Sequence, residues 1–171
     1  MNRQAWIFAA ALGMVGCGGN GDDFGSGTGH IPDALVGKWS TSSVSGVNYT
    51  DGASFSDPSG VILQMTFLDG ARYLFEFFDQ ASSYTCSTTV YGRETGTADF
   101  TDTQLTLAPG AATLTSKSSC SERFNYKKPW SNRLDGSKDY RWAVGADPND
   151  PNRRMFVLVS SDGAELDLRG P

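Results

Sequence analysis

The chain has 171 residues, of which 39% are hydrophobic and 19% charged, with a formal net charge of −5. That length buries the core of one domain, and the acidic balance argues against nucleic acid and against an electrostatic grip on anionic lipid. No stretch approaches the roughly 18 consecutive apolar residues of a membrane-spanning helix.

In chain order, Met1-Asn2-Arg3 gives a positive start, Ala5 to Leu12 runs apolar, and Met14-Val15-Gly16-Cys17 closes the segment. The run is too short for a permanent bilayer helix, so residues 1–16 read as a secretory signal. The small residue before a cysteine resembles the lipobox of bacterial lipoproteins, with Met14 where that box usually carries Leu. The resemblance implies cleavage before Cys17, diacylglycerol on its sulfur and a fatty acid such as palmitate on its new amino group. An ordinary secretory signal with an unrelated cysteine is the alternative. Gly18, where retained enteric lipoproteins carry Asp, implies a lipid-anchored place in the cell envelope, with the outer membrane as default.

Residues 18–29 hold six glycines and a single large apolar side chain, Phe24. Such a segment cannot offset its ordering entropy by burial, so residues 17–30 are expected to be a lipidated, flexible tether. Asp22 and Asp23 read as solvated linker charges, because calcium needs six or more oxygens on an ordered loop. With Cys17 committed to lipid, Cys86 and Cys120 remain, an even pair in an oxidising compartment. Their disulfide is expected to stabilise by about 3–4 kcal/mol. Two thiols are too few for a thiolate zinc site and too far apart for a redox pair, and no metal or cofactor is expected.

From Ile31 to Pro171 the sequence reads as β-sheet, with Val, Thr, Tyr and Phe runs between Gly, Asp, Ser and Pro clusters. Strands are predicted over Gly37–Ser43, Val61–Leu68, Arg72–Phe78, Tyr84–Gly92, Gly96–Thr101, Gln104–Leu107, Ala112–Ser118, Tyr140–Val144, Met155–Ser160 and Leu166–Arg169. Asp69-Gly70 and Asp162-Gly163 are hairpin turns in this reading. Asn48-Tyr49-Thr50 reads as loop, Ser121–Leu134 as a short helix or a long loop, and Asp147 to Asn152 as a turn rather than a calcium site. Eight to ten antiparallel strands in one domain, residues 31–171, make a sandwich or a closed barrel.

Particular segments favour the barrel. Gly37-Lys38-Trp39 resembles the G-x-W motif of lipocalins, whose Trp plugs the closed barrel end. Met65 to Tyr73 resembles the strand–Asp-Gly–strand hairpin of bacterial lipocalin-like lipoproteins, and Met155 to Leu168 their final strand pair. Lys138-Asp139-Tyr140 echoes the lipocalin T-D-Y motif. The resemblance implies a lipocalin-like barrel closed by Gly37 and Trp39. It departs in lacking an Arg at the end of the Met155–Ser160 strand, so Arg141 or Arg169 is expected over Trp39 instead.

Alternation places Tyr73, Phe75 and Phe77 on one face of their strand, and Met65 and Phe67 on one face of the preceding strand. An eight-stranded barrel either fills with such side chains or holds one small ligand, and the sequence leaves both open. Met65, Phe67, Tyr73, Phe75 and Phe77 are therefore the candidate ligand-lining residues. Chemistry is sparse. The lone histidine, His30, falls on the tether, and the carboxylate pairs Glu76/Asp79 and Glu94/Asp99 are unremarkable, so no enzyme is expected. Two readings follow. One is an anchored lipoprotein binding a small hydrophobic ligand. The other is a filled barrel engaging an envelope protein or polymer through its loops, notably Val44–Gly60 and Ser121–Lys138.

Overall fold

The computed structural model describes residues 29–45, 48–50, 54–56, 59–83, 85–130 and 138–170. Cys17 and its surroundings lie outside them. The described chain forms β1 (Gly37–Val44), β2 (Asn48–Thr50), β3 (Ser54–Ser56), β4 (Gly60–Leu68), β5 (Arg72–Ser83), β6 (Cys86–Phe100), β7 (Gln104–Ser118), β8 (Tyr126–Pro129), β9 (Lys138–Asp147), β10 (Asp150–Ser160) and β11 (Glu165–Arg169). Two single turns of 3-10 helix, Asp33–Leu35 and Glu122–Phe124, complete it.

Sequence neighbours pair antiparallel from β4 to β7 and from β9 to β11, β4 and β11 both flank β1, and β6–β7 and β7–β9 pairing closes the nine-stranded sheet in a ring. β8 and β9 share one edge of β7. β8 pairs with Thr113–Ser116 and β9 with Gln104–Leu107, so together they fill one position around the barrel. A separate β2–β3 hairpin occupies the β1–β4 connection. The expected antiparallel barrel is thus what forms, and Asn48-Tyr49-Thr50 is a strand of that hairpin rather than loop.

The strand count differs because two expected breaks are not breaks. Tyr84–Gly92 and Gly96–Thr101 belong to the single strand β6, and Gln104–Leu107 and Ala112–Ser118 to the single strand β7. The register steps from Glu94↔Ala112 to Gly96↔Pro109, so one extra β7 residue is absorbed as a bulge around Pro109-Gly110. Pro and Gly mark a bend in a continuous strand here, not a turn. Ser121–Leu134, expected as a short helix or a long loop, holds a single 3-10 turn and the short strand β8 within its described part.

Both predicted hairpins form. Leu68 pairs with Arg72 across Asp69-Gly70-Ala71, with Gly70 at φ 75° and Ala71 at φ 60°, the left-handed conformation such a tight loop demands. Gly163, at φ 86°, turns β10 into β11. Cys86 and Cys120 are disulfide-bonded with Cα atoms 5.5 Å apart, tying the start of β6 to the segment beyond β7.

The core lies at the end where β4 meets β5. Leu35, Trp39, Phe67, Tyr73, Leu105, Leu107, Phe156 and Leu168 are almost fully buried there. Phe67 meets Phe100 edge-on at 5.2 Å and Phe156 at 5.6 Å, and Trp39 meets Phe156 at 5.5 Å. The chain crosses below this core before β1. His30, expected on a free tether, has its backbone fixed: its carbonyl accepts from Phe100 N–H at 3.1 Å and its N–H donates to Asp99 Oδ1 at 3.2 Å. This end of the barrel is closed. The other end carries Ser45, Ser59, Thr85, Ser119–Asn125 and the 161–164 turn.

Candidate functional site

At the closed end Trp39 Nε1 donates to the Leu35 carbonyl at 2.8 Å, which satisfies the buried indole and holds the 3-10 turn beneath the barrel. Gly37 sits at φ 126°, a conformation open chiefly to glycine, while a Cβ there would meet nothing within 4 Å. Gly170 is the close neighbour instead: a Cβ on it would lie 2.7 Å from the Trp39 ring. The cation over that ring is Arg154, 5.3 Å from its centroid, with Nη1 donating to the Ala34 carbonyl at 2.7 Å. Arg141 and Arg169 do not fill the role expected of them. β10 begins five residues earlier than the sequence suggests, so Arg154 lies inside it; Arg169 Nε instead donates to Asp147 Oδ2 at 2.7 Å.

The five aromatic and methionine positions singled out as ligand-lining divide into two groups. Met65, Phe67 and Tyr73 belong to the buried cluster, whereas Phe75 and Phe77 are half-buried nearer the open end. Trp130, which no sequence pattern distinguished, covers the latter pair. Its ring stacks on Phe75 at 6.2 Å with planes 19° apart and lies 6.3 Å from Phe77. Gly92 makes the seat, since a Cβ there would come within 2.6 Å of the Trp130 ring. The main chain fixes it from the other side, with Trp130 N–H donating to the Ala112 carbonyl at 3.1 Å.

Between the two groups lies a buried polar pair. Tyr73 donates its hydroxyl to Glu94 Oε1 at 2.5 Å, and Glu94 is fully buried. A hydrogen bond of this kind offsets part of the cost of enclosing a carboxyl group among rings. Burial, and then the negative charge of Glu94, pushes the Tyr140 hydroxyl above the usual phenol value. Glu94 and Asp99 form no pair, because Glu94 points inward while exposed Asp99 binds the His30 N–H. The inward set Gly92, Glu94, Gly96, Ala98 and Phe100 carries the readable signal. Small residues flank the acid, and a Cβ on Gly96 would fall 2.6 Å from the Tyr73 ring.

Glu76 serves the outer wall. It accepts from Gln64 Nε2 at 2.7 Å and from the Tyr91 hydroxyl at 2.5 Å, whose pKa burial and this bond push up to about 12. A hollow of about 180 Å³ on the same wall is lined by Val44, Ser59, Gly60, Ile62, Phe78 and Gln80. At the β9–β10 turn Asp147 Oδ1 accepts from Asn149 N–H at 2.9 Å, the local bond of a turn-forming Asp.

The open end presents a different chemistry. Every residue from Glu122 to Pro129 is exposed. Arg123 lies 4.6 Å from the Phe124 ring centroid, and Lys128 lies 4.7 Å from that of Tyr126. Lys127 stands opposite Thr115, beside Lys117 on the same face of β7. The acidic chain thus carries a basic and aromatic rim at one end. No protein-family model matches the chain, and no curated protein matches it.

Proposed function

We propose that this protein is an envelope lipoprotein, anchored through Cys17, whose packed barrel is a rigid scaffold for binding at its open end. The observation that carries the reading is the continuity of side-chain packing. Rings contact one another from Trp39 through Phe156, Phe67 and Phe100, and Trp130 stacks over Phe75. Exposed aromatic residues beside cations, in contrast, gather on Glu122–Phe124 and β8. Surface residues of that kind on a rigid frame support recognition of a partner.

A second reading rests on Phe75 and Phe77. They are half-buried, and the side chain over them comes from the residue that follows the short strand β8, so a small apolar ligand that displaced Trp130 would occupy their faces. Native mass spectrometry of the full chain after mild extraction separates the two. The scaffold reading expects the mass of the processed, acylated chain alone. A stoichiometric lipid or other apolar molecule, released when Gly92→Leu disturbs the Trp130 seat, would establish the ligand reading in its place.

A further inference from the structure

The net charge of −5 disfavours contact with anionic membranes when taken as a whole. Its distribution reverses that expectation at one place. Between Lys117 and Pro129 stand Lys117, Arg123, Lys127 and Lys128 against the single acid Glu122, and all five are exposed. Phe124 and Tyr126 are 46% and 39% exposed between these cations. The Cys86–Cys120 disulfide and the β7–β8 ladder hold the segment in place, so the rim is a built surface.

We propose that this rim docks end-on against an anionic lipid bilayer. The inference rests on the reading that the open end carries the function, and it names the partner.

Geometry favours a flat surface. Tyr126 and Lys128 pair with Ser116 and Leu114, on the inward-facing side of β7, whereas Lys127 pairs with Thr115 on the outward side. The cations therefore stand on both faces of one rim strand. A peptide lying along the outward face would meet Lys117 and Lys127 but not Lys128, whereas a surface set against the rim edge is open to cations of both faces. Cations on both ring-bearing segments also sit over aromatic faces. That arrangement occupies faces on which sugars or bases would stack, but it suits the headgroup layer, where the cation meets phosphate and the ring meets the glycerol region. Exposed Asp162 and Glu165 belong to the same end, so the rim side of that end, where four cations stand against Glu122, is the part that meets the bilayer.

The test is vesicle co-sedimentation of the processed chain, residues 17–171 with Cys17→Ser, so that neither an acyl chain nor the apolar signal segment contributes. Vesicles of phosphatidylcholine alone are compared with vesicles mixed with phosphatidylglycerol. Binding should require phosphatidylglycerol and weaken about thirtyfold in the Lys127→Ala/Lys128→Ala variant, at about tenfold per 1.4 kcal/mol. The variant Lys38→Ala/Arg153→Ala, with the same charge change on exposed residues away from the rim, should bind like the parent. Phe124→Ala should weaken binding further, and added salt should not mimic that part.

Equal loss in both double variants, or equal binding to both vesicles, overturns the proposal. So does binding of a soluble polyphosphate, with the same lysine dependence, by a chain that ignores vesicles. Residue-specific crosslinking in cells tells which reading has failed. Adducts at the rim without vesicle binding reject the lipid alone, and no adducts at the rim reject the open-end reading itself.

Discussion

Arg154 lies over the ring of Trp39, 5.3 Å from its centroid, while donating to the Ala34 carbonyl at 2.7 Å. One guanidinium thus joins β10, the Trp at the barrel's closed end and the chain segment crossing beneath it. Trp39→Ala should cost roughly 3–5 kcal/mol of stability, the usual range for losing a buried ring. Arg154→Ala should cost less, about 1–2 kcal/mol, from one hydrogen bond and one cation–π contact. Urea unfolding of both variants checks the order, and an Arg154→Ala cost as large as that of Trp39→Ala would contradict it.

The Cys86–Cys120 bond spans 34 residues, although the β6–β7 ladder already joins its two ends. Cys86→Ser should lower stability by less than the roughly 3–4 kcal/mol that the chain-entropy relation assigns to an otherwise open loop of this size. Non-reducing peptide mapping of exported protein should recover the crosslinked peptides, and free thiols there would contradict the pairing.

Acid should weaken the β9–β10 turn in a defined window. The Asn149 N–H, and then the Arg169 guanidinium, hold the Asp147 carboxyl below its ordinary 3.8. A carboxyl depressed in the folded state contributes stability above its unfolded value, and that contribution disappears as pH falls through the folded value. Stability of the parent should therefore decline below about pH 4–5, and Asp147→Asn should flatten that decline. Equal acid slopes in the two proteins would remove the claim.

The opposite sign applies to Tyr91, held at about 12 by burial and by its bond to Glu76. Its contribution is complete below pH 10 and disappears as pH rises through about 12. Tyr91→Phe should lose stability near neutrality and show a shallower alkaline decline. Ultraviolet titration of the phenols should then lack one late-ionising tyrosine.

Gly92 leaves room for Trp130, and a Cβ there would overlap the indole. Gly92→Leu should expel Trp130 from Phe75 and Phe77 and shift tryptophan fluorescence to longer wavelength, while the barrel stays folded by far-ultraviolet circular dichroism. An unshifted spectrum would mean that Trp130 does not occupy that seat in solution.

Alternation and turn chemistry made the antiparallel strands legible but left sandwich and barrel both open. Asp69-Gly70 and Asp162-Gly163 are where the chain reverses, and Met65, Phe67 and Tyr73 face inward together. Pro109-Gly110 misled because a bulge and a turn use the same residues, and only the partner strand decides between them. Arg154 was missed for a related reason: Pro151 and its polar neighbours resemble loop, yet β9 pairs with them across an irregular register. Tyr73 and Glu94, and likewise Gly92 and Trp130, lie far apart in sequence, so each meeting depends on the closed sheet rather than on any local pattern.

We propose binding at the open end of a packed barrel. Photo-crosslinking in cells that export the full chain tests it most directly, with the reactive side chain placed at Phe124 in one variant and at Val36, exposed at the closed end, in another. Lipid or protein adducts are expected from position 124 and none from position 36. Adducts from position 36 alone, or from neither position while an apolar molecule co-purifies with the barrel, would contradict it.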